Sequence, residues 1–238
     1  MKILIGKFTE TNELQMKDTE LMNNLLFVGR LGSGVTYGAV RTTANFLKNN
    51  DDSIVYISDP WKKATDYEGL KVDKLNINFE NDVESLKKVI LALRLMEESN
   101  PTLVVLESFE YWIRESGNDP ELKELLTWLL SEKKNKNLQT LAVFRPFNNG
   151  THLTSTDFVN LFSETLVFNS PPAVIEFFGA EAYCLPLFLK SKHIFAVSSS
   201  FGLVLISDKP FTAMDKLMVI GRGLGGLAAT GIGAMFNK

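Results

Sequence analysis

The feature that most constrains the fold is a glycine-rich turn set between an apolar run and a segment of helical spacing, at residues 24–40. The run "NLLFV" has the length and composition of a buried strand, and the turn "GRLGSGVT" follows it directly. This turn matches the phosphate-binding pattern G-x-x-x-x-G-K-[ST] at Gly29, Gly34 and Thr36, but Val35 stands where the pattern has lysine. A strand, a tight turn and a helix in this order are typical of one unit of a parallel α/β sheet.

Apolar runs and helical segments continue to alternate after this unit. Further strands are predicted at "DSIVYISDP", "PTLVVLES", "LQTLAVFRP" and "SETLVFN", preceded by two short strands, "KILIGKF" and "ELQMK", and followed by a pair, "HIFAVSS" and "FGLVLIS", that can form a hairpin. Helices are predicted at "TYGAVRTTANFLKNN", "NDVESLKKVILALRLMEESN" and "DPELKELLTWLLSEKKNKN". The alternation predicts a mostly parallel central sheet flanked by helices.

Two of the predicted helices have an identifiable buried face. In the first helix, the helical spacing joins Val40, Ala44 and Leu47. In the second helix, the residues predicted to share the buried face are Val83, Leu86, Ile90, Leu93 and Met96. Asn81 or Asp82 is predicted to cap its N-terminus.

Length and composition favour one domain. A chain of 238 residues with 45% hydrophobic residues can bury one sizeable core, so residues 1–238 are predicted to form a single domain with a glycine-rich tail from about residue 219. The formal net charge of −3 argues against nucleic acid as a partner. The single Cys184 excludes an internal disulfide and favours a reducing compartment. Neither a signal peptide nor a membrane-spanning stretch is expected.

The glycine-rich turn can bind phosphate without any side chain. Backbone N–H groups at such a turn and at a helix N-terminus attract anions, and Gly32 and Gly34 let the backbone approach phosphate closely. Without the lysine, ATP binding is expected to weaken and hydrolysis to suffer more, with Arg30 as a candidate substitute cation. A glycine turn without a ligand stays open as the alternative. The predicted nucleotide-binding residues are Gly29, Arg30, Leu31, Gly32, Ser33, Gly34, Val35, Thr36 and Arg145.

The run "TLVVLESFEYW" supplies the acidic groups that such a site needs. Glu107 ends the predicted strand, and we expect Glu107 and the Thr36 hydroxyl to hold Mg²⁺. Ser108 takes the place of a second carboxylate and is a poor base, so no catalytic residue is assigned, and Glu107 and Glu110 are the candidates. Arg145 ends the next predicted strand and would contact phosphate or a partner if the two strands are neighbours. A solvated acid at position 107 and a surface ion pair at position 145 are the alternatives.

The order of these motifs resembles a known family. The segments "IGKFTETNELQMKDTELMNNLLFVGRLGSGVT", "TLVVLESFEYWI" and "LQTLAVFRPFNNG" follow one another as in the motor ATPases of the FtsK/SpoIIIE/HerA type. In particular, the sequence is similar to the ATPase domains of the type VII secretion coupling proteins called EssC or EccC. Three features depart from that family: Val35 in place of lysine, Glu107 and Ser108 in place of an acidic pair, and a C-terminal third without a clear motif.

The resemblance implies a RecA-like P-loop NTPase fold, and the departures imply a degenerate Walker motif in the C-terminal ATPase domain of such a protein. It further implies ATP and Mg²⁺ as cofactors, other ATPase domains of the same coupling protein as partners, and a secreted helical WXG-type protein as substrate. The parent protein would be anchored in a bacterial cell membrane with this domain on the cytoplasmic side. Apolar groups in "FEYWI", "FRPF" and "VIEFFGAEAYCLPLF" would supply core and a groove for that substrate.

A second glycine motif competes for the nucleotide. The stretch "GRGLGG", at residues 221–226, matches the dinucleotide-binding pattern G-x-G-x-x-G. That pattern needs a further strand and an acid about twenty residues on, which do not follow here, so close packing or a flexible tail is favoured. His152, His193 and Cys184 lack metal-ligand spacing and are expected to have packing or surface roles.

Three functions are therefore compatible with the sequence. The favoured one is a domain that binds Mg-ATP weakly to moderately, hydrolyses it little or not at all, and recognises helical secretion substrates. The first alternative is a nucleotide-free protein-interaction module on a relic P-loop fold. The second alternative is an active motor NTPase completed by Arg30 or by an arginine from a neighbouring subunit.

Overall fold

A computed structural model of the chain describes residues 2–8, 14–18, 24–61, 65–72, 77–96, 100–132, 137–145, 158, 160–168, 195–198 and 202–205. Within these residues the strands are β1 (Lys2–Phe8), β2 (Leu14–Asp18), β3 (Asn24–Val28), β4 (Ile54–Ser58), β5 (Ile77–Glu80), β6 (Thr102–Leu106), β7 (Leu138–Phe144), β8 (Glu164–Val167), β9 (Phe195–Ser198) and β10 (Gly202–Leu205). The helices are α1 (Val35–Asn49), α2 (Thr65–Glu68), α3 (Val83–Leu95), α4 (Phe109–Ser116) and α5 (Pro120–Thr127). A 3₁₀ turn (Gly69–Val72) follows α2, and a π-helical turn (Trp128–Glu132) follows α5.

The strands form one sheet in the order β2-β1-β10-β9-β8-β3-β7-β6-β4-β5. All neighbours from β8 to β5 pair in parallel, whereas the pairs from β8 to β2 are antiparallel. The predicted mostly parallel sheet with flanking helices is confirmed. The predicted hairpin pair is confirmed as well, since Gly202 pairs with Ser198 between β10 and β9.

Strand order decides which residues meet at the functional edge of the sheet. Strand β7 lies between β3 and β6, and the three strands run in parallel. Their carboxyl ends therefore meet at the same edge, where Gly29, Glu107 and Arg145 follow them directly. The sequence analysis placed Arg145 beside Glu107 only if their two strands are neighbours. Strands β6 and β7 do pair, so this condition is met.

Side chains alternate between the two faces of the parallel strands, and each face has its own core. One core places Leu25 and Phe27 of β3 against Ala39 and Phe46 of α1. The other core places the intervening β3 residues, Leu26 and Val28, against α3, α4 and α5. Both faces are covered, which explains why β3, β6 and β7 are buried along their whole length.

The buried faces of the helices agree only in part with the predictions. In α3, Leu86, Ile90 and Leu93 are buried as predicted, but Met96 lies beyond the helix end and is 43% exposed, so its prediction is wrong. In α1, Leu47 is buried, whereas Val40 and Ala44 are only half-buried. The buried face of α1 is instead formed by Val35, Gly38, Ala39, Thr42, Thr43, Phe46 and Leu47.

Sequence spacing did not reveal α2, β5 and α4. These elements have only four to eight residues, which is too short for apolar periodicity to distinguish strand from helix. In α4, Phe109 and Trp112 of the "FEYWI" run are buried in the core as expected. No helix in the described part of the chain is long and apolar enough to cross a bilayer.

Several predictions lie outside the described residues. These are the roles of Cys184, His152 and His193, the "GRGLGG" motif and glycine-rich tail, the run "VIEFFGAEAYCLPLF", and the last two residues of "FRPF", whose Phe144 is described and lies in the core.

The capping of α3 can be tested directly. Asp82 accepts a hydrogen bond from the Ser85 N–H at 2.8 Å, and the Ser85 hydroxyl interacts with the Asp82 N–H at 3.3 Å, which together form a capping box. Asp82→Ala is expected to lower the free energy of unfolding by about 1 kcal/mol, and Asp82→Asn to leave it nearly unchanged because asparagine also caps well. Urea denaturation measures both; equal stability of Asp82→Ala and the wild type would show that the cap does not stabilise α3.

Candidate functional site

The loop between β3 and α1 has the backbone geometry of an anion cradle. Gly32 and Gly34 adopt left-handed conformations, with φ of 78° and 88°, that side chains rarely tolerate. The Ser33 N–H donates to the Arg30 carbonyl at 3.0 Å, which closes the turn. Among the described contacts, the amides of Gly32, Gly34 and Thr36 have no acceptor. Unpaired amides at a helix N-terminus attract anions.

The base of the loop is packed tightly around Gly29. The Gly29 N–H donates to the Phe144 carbonyl at 3.0 Å, and the Phe168 N–H donates to the Val28 carbonyl at 2.7 Å, so the sheet pairing extends past the strand end. A Cβ at Gly29 would lie 2.4 Å from the Ser33 hydroxyl oxygen and 3.0 Å from the Val35 Cβ. The first glycine of the pattern is therefore required by packing alone.

Val35, which stands at the lysine position, belongs to the core. Its side chain is 2% exposed and packs in the cluster beneath α1. In contrast to Val35, the loop residues Arg30 and Leu31 are exposed to solvent, and the exposed fraction of Leu31 is 89%. Within the described contacts, Arg30 has no bond to a residue of the site. The role of Arg30 as a substitute cation stays a prediction.

Arg145 brings the remaining predicted site residues together. Its Nη2 donates to the Thr36 hydroxyl at 2.9 Å and to Glu107 Oε2 at 2.5 Å. Its Nη1 donates to the Ser108 hydroxyl at 2.9 Å. Its backbone N–H donates to Glu110 Oε2 at 3.0 Å. The structure thus joins the loop helix, the acid-bearing strand end and α4 through one residue.

Glu107 is held on both carboxylate oxygens. It is 3% exposed, and its Oε1 accepts a hydrogen bond from the Tyr67 hydroxyl at 2.6 Å while Oε2 faces Arg145. Burial raises the pKa of Glu107, and the Arg145 guanidinium and the Tyr67 hydroxyl oppose this rise. Burial and the adjacent Glu107 carboxylate raise the pKa of Tyr67, so this phenol remains a donor. The solvated acid considered for position 107 is not what the structure shows.

Ser108 and Glu110 support the same arrangement. Ser108 is buried with a φ of 53°, a conformation that is rare outside glycine and recurs at functional sites. Burial raises the pKa of Glu110, and the hydrogen bond from the Arg145 amide opposes this rise. Both catalytic candidates, Glu107 and Glu110, are thus engaged in contacts with Arg145.

Sequence reasoning missed Tyr67. This residue lies in the short helix α2, which follows β4 after several residues, and it reaches Glu107 across the edge of the sheet. The stretch "ATDYEGL" has neither a motif nor an apolar period that would have identified it.

The two residues predicted to hold Mg²⁺ lie together, but their arrangement does not fit the ion. Thr36 and Glu107 both accept hydrogen bonds from the same guanidinium nitrogen, so a cation already lies between them. Mg²⁺ requires oxygen ligands at about 2.1 Å in octahedral geometry. Among the described residues, no group of three or more histidine, cysteine or acidic side chains is arranged to hold a metal ion.

Comparison with known proteins identifies the architecture. No protein-family model matches the sequence, and no curated protein matches it. Solved structures do match: the pCW3 conjugation coupling protein TcpA in its monomer form with ATPgS has a TM-score of 0.57 and 15% identity over 73% of this chain and 56% of that chain. The fold is that of a P-loop ATPase domain.

Secretion ATPases are similar to the same extent. Thermomonospora curvata EccC (ATPases 2 and 3), in complex with a signal sequence peptide, has a TM-score of 0.59 and 12% identity over 89% of this chain and 41% of that chain. EssC (ATPases 2 and 3) from Geobacillus thermodenitrificans has a TM-score of 0.59 and 13% identity over 97% of this chain and 49% of that chain. The chain thus spans about half the length of these coupling ATPases, and at such identities the likeness establishes the P-loop ATPase fold alone.

The packing around Gly29 gives a stability prediction. Gly29→Ala is expected to lower the free energy of unfolding by about 1–3 kcal/mol, because its Cβ overlaps Ser33 and Phe168, the latter at 2.9 Å. Gly69→Ala is the matched control, since a Cβ there meets nothing within 4 Å, and it is expected to be neutral or to stabilise by about 0.4–1 kcal/mol. Thermal and urea unfolding measure both variants. The packing argument fails if the two alanines have the same effect.

Proposed function

We propose that this P-loop ATPase domain binds ATP through its backbone cradle, hydrolyses it little or not at all, and serves a type VII secretion coupling protein. The observation that carries the proposal is the combination of a loop whose Gly32, Gly34 and Thr36 amides have no acceptor among the described residues and a buried valine at the position of the loop lysine. Backbone amides bind phosphate without the lysine, whereas phosphoryl transfer depends strongly on positive charge at the transferred group.

The acidic groups support weak hydrolysis. A water-activating base needs a free carboxylate oxygen within hydrogen-bond reach of the water. Both oxygens of Glu107 are engaged, by Tyr67 and by Arg145, and one oxygen of Glu110, Oε2, accepts the Arg145 amide. Ser108, which follows Glu107, has only a hydroxyl group, which is too weak a base to activate water. Nucleotide binding without turnover is therefore the better match to this geometry than a motor.

The substrate and the partners are proposed from the structural neighbours. The similar EccC structure contains a signal sequence peptide, and both similar secretion proteins contain more than one ATPase domain. We extend this to a helical WXG-type secreted protein as the substrate and to sister ATPase domains as partners. The domain would be the degenerate C-terminal one of a membrane-anchored protein and would lie on the cytoplasmic side of a bacterial membrane.

A second function is favoured by one specific observation. Val35 and Gly29 support the loop conformation by packing against their neighbours, independently of any contact with phosphate. A loop supported by packing alone also suits a nucleotide-free protein-interaction module. Direct titration with ATP separates this module from a nucleotide-binding domain.

Val35→Lys tests the proposal in one variant. The ammonium group is too costly to leave in the apolar cluster that buries Val35, so the long stem is expected to turn toward the loop amides, and ATP affinity is expected to rise about tenfold to hundredfold, as for a charge-assisted contact. Loss of a well-packed apolar group is expected to lower stability by about 1–3 kcal/mol. Phosphate release is expected to stay near background because Glu107 and Glu110 remain engaged.

Val40→Lys is the matched control, because it adds the same charge to the half-buried side of α1 away from the loop. Calorimetry with ATP and a phosphate-release assay measure both variants. Absence of ATP binding in the wild type would favour the interaction module. Brisk hydrolysis by Val35→Lys would show that the lysine is the only missing group, and the chain would then be a motor lacking one residue.

A further inference from the structure

The guanidinium of Arg145 occupies the position in which a divalent metal would join the loop to the acid. Its Nη2 contacts the Thr36 hydroxyl oxygen at 2.9 Å and Glu107 Oε2 at 2.5 Å, and these two oxygens are the ones predicted to hold Mg²⁺. We propose that Arg145 is the resident cation of the nucleotide site, and that the site takes a nucleoside triphosphate without a divalent metal. This inference rests on the proposed function, since it concerns how that same site binds ATP.

The charge of Arg145 cannot be removed within the physiological range of pH. Burial lowers the pKa of Arg145, but the carboxylates of Glu107 and Glu110 outweigh this effect and leave it above the usual value. A divalent ion entering between Thr36 and Glu107 would meet a permanent positive charge within hydrogen-bond distance of both ligands. It would also find each Glu107 oxygen already accepting a hydrogen bond. The ion and the guanidinium therefore exclude each other.

The position of Arg145 also suits contact with phosphate. A guanidinium has five N–H donors, and the contacts to Thr36, Glu107 and Ser108 use three of them. Within the described part of the chain, no acceptor is recorded for the other two. The side chain is 23% exposed, and its partner Thr36 lies at the second position of α1, next to the cradle. The two remaining donors, Nε–H and one Nη1–H, lie on different edges of the guanidinium plane, so each can donate to a single oxygen of a nearby phosphate group.

The surrounding residues hold this side chain in place. Tyr67 orients the Glu107 carboxylate from one side, and Ser108 meets Nη1 from the other. Glu110 fixes the backbone of Arg145 through its amide. A surface arginine would have none of these supports. The ion pair of Arg145 is formed with the buried Glu107, so it differs from the surface ion pair considered for position 145.

The test compares ATP binding in excess EDTA and in excess Mg²⁺ by calorimetry. Wild-type protein is expected to bind ATP in EDTA at least as tightly as in Mg²⁺, because free ATP carries more negative charge toward Arg145. Arg145→Gln, which removes the charge and keeps much of the length, is expected to lose about tenfold to hundredfold of its affinity in EDTA. It is also expected to become dependent on Mg²⁺, because Thr36 and Glu107 are then open to the ion.

Two further variants guard against unrelated effects. Arg114→Gln removes the same charge from an exposed arginine that lies over the Tyr111 ring, and it is expected to keep the wild-type behaviour in both buffers. Glu107→Gln combined with Arg145→Gln removes both charges of the buried pair, so it avoids an unpaired carboxylate if the single variant does not fold. This double variant is expected to bind weakly in EDTA and to gain little from Mg²⁺.

The outcomes separate the inference from the proposed function. Wild-type binding that requires Mg²⁺, or an Arg145→Gln variant with wild-type affinity in EDTA, overturns the role of Arg145 and leaves nucleotide binding intact. Binding in neither buffer overturns both. Binding in EDTA that is lost in Arg145→Gln and regained with Mg²⁺ supports both. Mn²⁺ in place of Mg²⁺ gives an independent readout: when protein is added to preformed Mn-ATP, the electron paramagnetic resonance signal should change with Arg145→Gln and not with the wild type.

Discussion

The loop edge of the sheet depends on the contact between the Arg145 guanidinium and the Glu107 carboxylate. The two residues follow neighbouring parallel strands, and Arg145 extends the contact to Thr36 in the helix that begins at the loop. Because Glu107 is almost fully buried, its charge requires a partner, and removing one member of a buried pair typically costs about 3–5 kcal/mol. The same contact thus holds the edge together and determines which charges a ligand would meet.

Hydrophobic packing does the rest of the positioning at this edge. Val35 and Phe168 surround Gly29 beneath the loop, so the loop conformation follows from the core and from the two left-handed glycines. A site with this support is preorganised, because little of the loop has to be ordered when an anion arrives. Packing at the position of a lysine therefore keeps the shape of a phosphate site and removes its strongest charge.

The sequence predicted individual strands, turns and helices better than the tertiary contacts between them. The β3–loop–α1 unit and the α3 core face at Leu86, Ile90 and Leu93 follow from short-range patterns, which the chain keeps in structure. Strand order is a long-range property, so the contact of Arg145 with Glu107 was only conditional in the sequence. Tyr67 lies in an element of four residues, and its bond to Glu107 depends on tertiary structure alone. The direction of the Val35 side chain was likewise fixed by packing rather than by the motif.

The placement of β3 has a consequence for the order in which the domain is built. Its partners are β7 and β8, so residue 24 pairs with residue 140 and residue 25 with residue 164. During synthesis β3 leaves the ribosome long before β7 and β8 have been made, so its apolar residues cannot yet be buried in a sheet. Pairing over such separations closes large loops and slows folding. Strand β1 can pair early with the adjacent β2, but its second partner, β10, is made near the end of the described chain. A nascent chain of this domain would therefore expose a nearly continuous apolar strand until β7 and β8 have been made.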